Sequence, residues 1–352
     1  MNIAFIRRNW SPTGGAENYL VRLVRKLAEK GCRSTLICES WNRPPEPFKE
    51  IISMPSPGPA FRKPAFFADQ TNTRLASHSF DLVFSMERGI KADIYRAGDG
   101  VHRVWLQHRM ESRGFSGWIQ NTANLKNFTQ LHLERITFHP DNTRCVIANS
   151  DMVKKDILRS FDYPENRIKT ILNGVDFPFF SSGNRQNGRD ALKLAPEDYV
   201  ALLVGSGSER KGHSAARLVM DRWRDKARLV IVDSPPPCSM PDVYAAADLF
   251  LFPTLYDPFA NVTLEAMAAG LPVITTEANG ACELIQNGKN GFLVKNNSRH
   301  DELSAYVRAL MDPSLRNRMS QAARSTAMDW DLEKNVTATL ALMESLSCHP
   351  FK

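Results

Sequence analysis

Residues 249–276 read LFLFPTLYDPFANVTLEAMAAGLPVITT, and they decide the fold class because strand, loop, helix and strand follow one another without a break. Leu249 to Phe252 is a short apolar run closed by Pro253, and Val273 to Thr276 is a β-branched run opened by Pro272. Both fit strands buried on both faces of a parallel sheet. Between them Asn261 reads as an N-cap, Val262, Leu264, Met267 and Ala268 fall on one helical face, and Gly270 stands where a C-cap glycine belongs. Ligands of open α/β sheets sit at the carboxyl ends of strands, against helix N-termini, so the loop from Thr254 to Ala260 is expected to face one. Two acids flank that helix start, Asp257 in the loop and Glu265 about one turn past the cap. On position alone, helix-dipole acids and ligand-facing acids both fit.

Upstream, Val200 to Val204 is another apolar strand, followed by GSGSERKGHS (205–214) and a helix over roughly 214–224. Small residues such as Gly205 let the backbone approach phosphates, and Arg210 and Lys211 bring two positive charges, so this turn suits a diphosphate. A solvated basic turn fits the Arg-Lys pair equally well, and the GK[ST] of a nucleoside triphosphatase loop is missing. Past the strand Leu229 to Val232, SPPPCSMPDV carries the chain to Tyr244, and its prolines exclude a helix there. Downstream of Thr276 come a last strand, Gly291 to Val294, and two or three helices from His300 to Leu346. Asp329 and Asp331 follow no apolar strand and read as helix caps rather than metal ligands.

The first half repeats the same grammar. Asn2 to Arg7 is a strand, WSPTGG (10–15) a turn-rich loop carrying Gly14 and Gly15, and Ala16 to Lys30 an amphipathic helix. Further strands are expected at Ser34–Cys38, Ile51–Met54, Asp81–Ser85 and Ile94–Ala97. The last runs into Gly98, Asp99 and Gly100, where a turn aspartate and an acid pointing into a cleft both fit. His102, Arg103, His108, Arg109 and Arg113 follow as a basic stretch, and Leu131 to Phe138 (LHLERITF) is helical. Cys145 to Asn149 is a strand leading into a helix capped by Ser150, and IKTILNGVD (168–176) closes the half, placing a boundary near Leu172.

The acid, seven residues, acid spacing of Asp257 and Glu265, followed by AMAAGLPVI, strongly resembles the nucleotide-sugar motif of retaining GT-B glycosyltransferases of glycosyltransferase family 4. GGAEN (14–18), NGVD (173–176), the Arg-Lys-Gly turn, NGACELI (279–285) and NGKNGFLV (287–294) resemble that family too. The resemblance implies an α/β protein of two Rossmann-like domains whose parallel sheets face a central cleft. An acceptor domain would span 1–172 and a nucleotide-sugar domain 173–330, with a last helix, about 331–352, packing back on the first. It implies that Gly14, Gly15, Gly205, Arg210, Lys211 and the Asn261, Val262, Thr263 turn hold the donor diphosphate, and that Glu265 holds the donor ribose. Asp257, where the family usually has Glu, would contact the transferred sugar. The family's usual extra α/β unit before Y-A-A-A-D is absent, so the second domain is shortened by the unit that helps frame the base. GDG (98–100) and the ERxTF helix resemble the acceptor domain of the family's lipopolysaccharide inner-core glucosyltransferases. They imply transfer of glucose from UDP-glucose to a heptose, with Asp99 as acceptor ligand or base and His102, Arg103 and Arg109 as acceptor-binding residues. The resemblance implies neither a metal nor a cofactor beyond the nucleotide-sugar co-substrate.

With 352 residues, 43% hydrophobic and 24% charged, the chain suits two soluble domains. No apolar run approaches the roughly 20 residues of a membrane span, and MNIAFIRRNW is wrongly ordered for a signal peptide, so a cytoplasmic location is expected. The six cysteines form no CxxC pair and read as free thiols. Residues 1–170 hold 26 Lys and Arg against 17 Asp and Glu, which makes the first half the basic half. A solvated surface fits that excess, as does an anionic inner-leaflet membrane surface or a phosphorylated, lipid-linked glycan acceptor, whether lipopolysaccharide core or capsular. A nonenzymatic membrane- or nucleic-acid-binding protein is the competing class. The basic half lacks the aromatic interleaving of a nucleic-acid module, so no nucleic-acid partner is expected. An oxidoreductase would need GxGxxG after the first strand.

Overall fold

The computed structural model describes residues 1–10, 15–41, 47–207 and 209–347; Gly14 and Cys348 lie outside them. The chain forms two compact units, Met1–Leu172 with Asn335–Lys352, and Asn173–Lys334.

In the first unit the strands are β1 (Asn2–Ile6), β2 (Asn9–Trp10), β3 (Arg33–Cys38), β4 (Ser40–Trp41), β5 (Glu50–Ser53), β6 (Leu82–Ser85), β7 (Ala92–Arg96), β8 (Thr143–Ala148) and β9 (Ile168–Thr170). Seven of them build one parallel sheet in the order β5-β3-β1-β6-β7-β8-β9, while β2 and β4 pair separately. The helices are α1 (Gly15–Glu29), α2 (Lys63–Ala76), α3 (His102–Arg113), α4 (Phe115–Ala123), α5 (Leu125–Thr137) and α6 (Asp151–Ser160). Ser150 caps α6, its side chain accepting from Val153 N. Central strands such as β1 and β8 are buried almost throughout, as covering of both sheet faces requires.

In the second unit β10 (Val200–Val204), β11 (Arg228–Val232), β12 (Leu249–Phe252), β13 (Val273–Thr276) and β14 (Gly291–Val294) form a parallel sheet in the order β11-β10-β12-β13-β14. Its helices are α7 (Phe177–Ser181), α8 (Arg185–Ala191), α9 (His213–Asp221), α10 (Met240–Ala246), α11 (Asn261–Ala268), α12 (His300–Ala309) and α13 (Pro313–Met328). Every residue of β10, β12 and β13 is buried, whereas β11, at the edge, is only half-buried. The final helix, α14 (Leu332–Ser347), belongs to the first unit from Asn335 onward. There Thr339 accepts from the Tyr19 hydroxyl at 3.0 Å, and the Leu346 carbonyl accepts from Arg144 at 2.9 Å.

Two local expectations are corrected. Asn261 is the first helical residue of α11 rather than its cap; the capping position is Ala260, which offers no side-chain acceptor. And α10 does form in the proline-rich crossing. Pro235, Pro236 and Pro237 precede it, Pro241 lies in its first turn, where no intrahelical N–H is needed, and Ser239 caps it by accepting from Asp242 N. Asp331 accepts from Glu333 N at 2.7 Å in the first turn of α14, as a capping residue does.

Candidate active site

At the carboxyl end of β10 the chain turns through Gly205 (φ 140°), Gly207 (φ 84°) and Gly212 (φ 78°), a path that side-chain-bearing residues resist. A Cβ on Gly212 would lie 1.9 Å from the Pro253 carbonyl oxygen, so the turn can press against the end of β12 only with glycine there. Two bonds fasten it: Leu255 N and the Thr254 hydroxyl donate to the Arg210 carbonyl at 2.8 and 2.6 Å. Lys211 then reaches the Asp257 carboxylate at 2.6 Å, with its ammonium 5.1 Å from the centre of the Phe252 ring. Both charges are almost sealed off, with side-chain exposures of 14% and 5%. A buried pair of this kind holds both side chains in place. The Arg210 guanidinium, by contrast, makes no hydrogen bond or ion pair among the described residues. His213, which the sequence reading passed over, is buried in the first turn of α9 with Nε2 2.9 Å from the Gly205 carbonyl. Its only sequence signal is its place directly after the Arg-Lys-Gly turn.

The loop that carries Asp257 is held by its neighbour on both backbone sides: Asp257 N donates to the Ala278 carbonyl and Gly280 N to the Asp257 carbonyl, each at 2.8 Å. Asn279 locks the junction. Its buried side chain accepts from Ala260 N and Ala281 N and donates to the hydroxyls of Thr263 and Thr275. The first turn of α11 therefore starts rigidly and without a side-chain cap; Thr263 N donates to the Ala260 carbonyl at 2.9 Å, so the N–H groups of Asn261 and Val262 are the ones left for an anion. The Asn261 side chain accepts instead from Asn173 at 2.7 Å, which gives the NGVD segment a structural task.

One turn into α11, Glu265 is half-buried and accepts from the Tyr244 hydroxyl at 2.7 Å. Burial pushes its carboxyl up to about 7, against the opposing pull of that hydroxyl and of the Lys211 ammonium. Tyr244 is fully buried, packs edge-on against Phe180, and has its own hydroxyl pushed well up by burial and by Glu265. Tyr244 comes from α10, so the helix unexpected in the proline-rich crossing supplies the partner of Glu265. The structure thus gathers Arg210, Lys211, Asp257 and Glu265 at the carboxyl end of one sheet.

In the first unit Gly15 is the first residue of α1. Asp99 stands exposed between Gly98 and Gly100 (φ 64°) and makes no hydrogen bond among the described residues. Its charge acts on Arg7, Glu87, Arg88 and His102. Arg88 braces the loop, donating to the Gly100 carbonyl at 2.9 Å and to Gln130 at 3.0 Å. Glu134, of the ERxTF helix, is completely buried and accepts from the backbone N of His102 and Arg103 at 2.5 and 3.2 Å, capping α3. The basic stretch that follows Asp99 is engaged with its neighbours. His102 faces Asn127 at 3.2 Å and burial holds its imidazole down at about 4, hence uncharged. Arg103 lies 5.4 Å from the centre of the Phe161 ring, Arg109 is spent on Asn121 at 2.7 Å, and Arg113 on Gln120 at 2.8 Å. These side chains tie α3 to its neighbours. No group of three His, Cys, Asp or Glu able to hold a metal ion occurs among the described residues.

Residues 13–177 match the family model described as Glycosyltransferase Family 4, and residues 236–326 the one described as Glycosyl transferases group 1. A D-inositol 3-phosphate glycosyltransferase of Thermobifida fusca (strain YX) is 24% identical across 93% of this chain and 88% of its own. Its counterpart from Corynebacterium jeikeium (strain K411) is 26% identical across 98% and 97%. Among solved structures, WaaG, a glycosyltransferase involved in lipopolysaccharide biosynthesis, has a TM-score of 0.79 at 20% identity, covering 96% of this chain and 98% of its own. HepE of Anabaena, solved with UDP-glucose, has 0.71 at 18%, covering 98% and 100%. The two parallel-sheet α/β units are those of the GT-B fold.

Proposed function

We propose that this chain, a GT-B glycosyltransferase of the group 1 and family 4 type, transfers a hexose from a nucleotide sugar, UDP-glucose foremost, with retention, onto a heptose of the lipopolysaccharide inner core. One observation carries the donor half of this reading: Arg210 and Lys211 lie on a glycine turn beside the uncapped start of α11, with Glu265 one turn further on. A diphosphate would take the Arg210 guanidinium, the Lys211 ammonium and the N–H groups of Asn261 and Val262, while Glu265 accepts from the ribose hydroxyls. As the bond to the sugar breaks, negative charge gathers on the diphosphate, and the two cations stabilise it there in the part a divalent metal would otherwise play. In a front-face displacement the departing oxygen itself takes the acceptor's proton. Asp257, anchored by Lys211, faces the sugar as positive charge develops on it. Its anchoring means that the contacts to sugar and to diphosphate act as one unit.

The acceptor half rests on Asp99, exposed just past the end of β7 and without a hydrogen bond among the described residues, with Glu134 and Arg88 holding its loop. The named role of WaaG in lipopolysaccharide biosynthesis supports the heptose acceptor, and HepE with UDP-glucose supports the donor. A surface on the first unit supports a membrane-bound acceptor: Phe115 and Trp118 stack on one face of α4 at 75% and 50% exposure, beside exposed Ile119, Leu125 and Phe128. Residues 112–133 contain Arg113, Lys126 and His132 and no acid. Such a face suits the interface of an anionic leaflet. Transfer to another phosphorylated acceptor is the second reading, favoured by relatives named for inositol 3-phosphate.

A thermal-shift screen with UDP-, ADP- and GDP-glucose tests the donor assignment. A donor at a hundred times its dissociation constant should raise stability by about 2.7 kcal/mol. Absence of any shift across nucleotide sugars would reject it. Transfer from the responding donor to heptose-terminated core, against none to inositol 3-phosphate, then separates the two acceptor readings.

A further inference from the structure

The first unit holds a cavity of about 500 Å³ between the end of β1, β4 and the first turn of α2, lined by Arg8, Glu39, Phe61, Lys63, Lys126 and Gln130 among others. A second hollow of about 560 Å³ adjoins it, sharing Phe61 and Lys126 and leading to Leu125 on the apolar face. Three cations meet one acid in the first cavity. Glu39 lies 3.6 Å from Arg8 and 3.8 Å from Lys63, too far for charge-assisted hydrogen bonds, so both cations keep donors for a closer anion. The Lys126 ammonium makes no ion pair or hydrogen bond among the described residues. Gln130 gives its carbonyl oxygen to Arg88, which leaves its amide N–H groups for the cavity. The first turn of α2 carries no side-chain cap, adding the positive end of a 14-residue helix. Phe61 supplies an apolar ring wall.

We infer that this cavity seats a phosphate-bearing sugar unit of the acceptor, its phosphate between Lys63, Lys126 and Arg8 and its ring against Phe61. The chain Gln130 to Arg88 to the Gly100 carbonyl connects that seat to the Asp99 loop through two hydrogen bonds of 3.0 and 2.9 Å. An acceptor anchored by its phosphate would thereby be registered toward Asp99, and its apolar part would leave through the second hollow toward Leu125. The inference rests on the proposed transferase reading and names the acceptor feature it recognises.

Calorimetric titration of the full chain with glucose 6-phosphate, glucose, inorganic phosphate and glycerol 1-phosphate tests it without turnover. Glucose 6-phosphate should bind at least about tenfold more tightly than the other three. Lys63→Ala and Lys126→Ala should each weaken it about tenfold, and Lys126→Arg should restore most of the loss, because the arginine keeps the charge on an exposed position that does not bear on folding. Glucose binding as well as its phosphate, or a Lys63→Ala/Lys126→Ala chain with unaltered affinity, overturns the site. Inorganic phosphate matching glucose 6-phosphate would reduce it to a bare anion site, and glycerol 1-phosphate matching it would make it a lipid-headgroup site; either result overturns the sugar assignment. Titration with UDP-glucose reports separately on the donor half, so loss of that signal alone would reject the transferase reading and leave the cavity standing.

Discussion

Neighbouring cations on one turn are not equivalent here. Arg210 has no partner among the described residues, so Arg210→Ala should cost about 2–4 kcal/mol of transition-state stabilisation and leave the melting temperature unchanged. Lys211→Ala should lower activity by a similar amount and also destabilise the fold by about 3–5 kcal/mol, because Asp257 would be left buried without its partner. Removing Asp257 as well should return much of that stability but none of the activity. Kinetics and chemical denaturation on the three variants check this; equal melting behaviour of Arg210→Ala and Lys211→Ala would contradict it. Glu265 adds a pH signature. Its carboxyl, raised from 4.5 to about 7 by burial, holds its proton more tightly folded than unfolded, so that contribution to stability is full below about pH 4.5 and is lost as pH rises through about 7. In the proposed role only the carboxylate would accept from both ribose hydroxyls, so affinity for UDP-glucose should fall as pH drops through about 7. Glu265→Gln should abolish that step; a step that survives in Glu265→Gln belongs to another group.

At the scale of elements, the donor-side turn depends on conformation as much as on charge. Gly212→Ala combines a left-handed φ with a Cβ 1.9 Å from the Pro253 carbonyl and should destabilise by about 2–4 kcal/mol. Gly207→Ala has the same handedness but nothing within 4 Å of the added Cβ, so about 1 kcal/mol of strain is expected. Urea midpoints of the two variants compare them directly. Among the described residues only α10 intervenes between β11 and β12 and no further strand lies beyond the β11 edge, on the side where the proposed reading puts the donor base. Dissociation constants for UDP-, ADP- and GDP-glucose should therefore lie within about a hundredfold of one another. A thousandfold preference would mean that another loop has taken over base recognition.

For the molecule as a whole, the charge excess and the exposed apolar face fall in the same unit. Binding to phosphatidylglycerol vesicles should exceed binding to phosphatidylcholine, weaken with salt as charges are screened over about 8 Å, and drop about tenfold in Trp118→Ser. Salt-independent binding, or none, would reject the membrane assignment. No helix among the described residues is long and apolar enough to cross a membrane.

What was legible in the sequence was whatever short-range chemistry dictates. Apolar runs bounded by Pro253 and Pro272 became β12 and β13 to the residue, Gly270 took its positive φ, and Ser150 capped α6. Helix α10 escaped those rules, because three prolines masked a helix that begins only after them, and the order in which the strands pair came only with the tertiary structure. The site was legible as residue types but not as pairings. Nothing local to Lys211 points to Asp257, 46 positions on, or from Glu265 back to Tyr244, and both bonds exist only because the ends of β10 and β12 meet and α10 packs near α11. The basic stretch after Asp99 shows the reverse. Its residues were visible, but not that burial would leave the His102 imidazole uncharged beside Asn127 or that Arg109 would donate to Asn121. Sequence determined which groups were present and which segments were strand or helix; tertiary structure decided which of those groups remain free to meet a ligand, because burial and pairing are properties of neighbours in space.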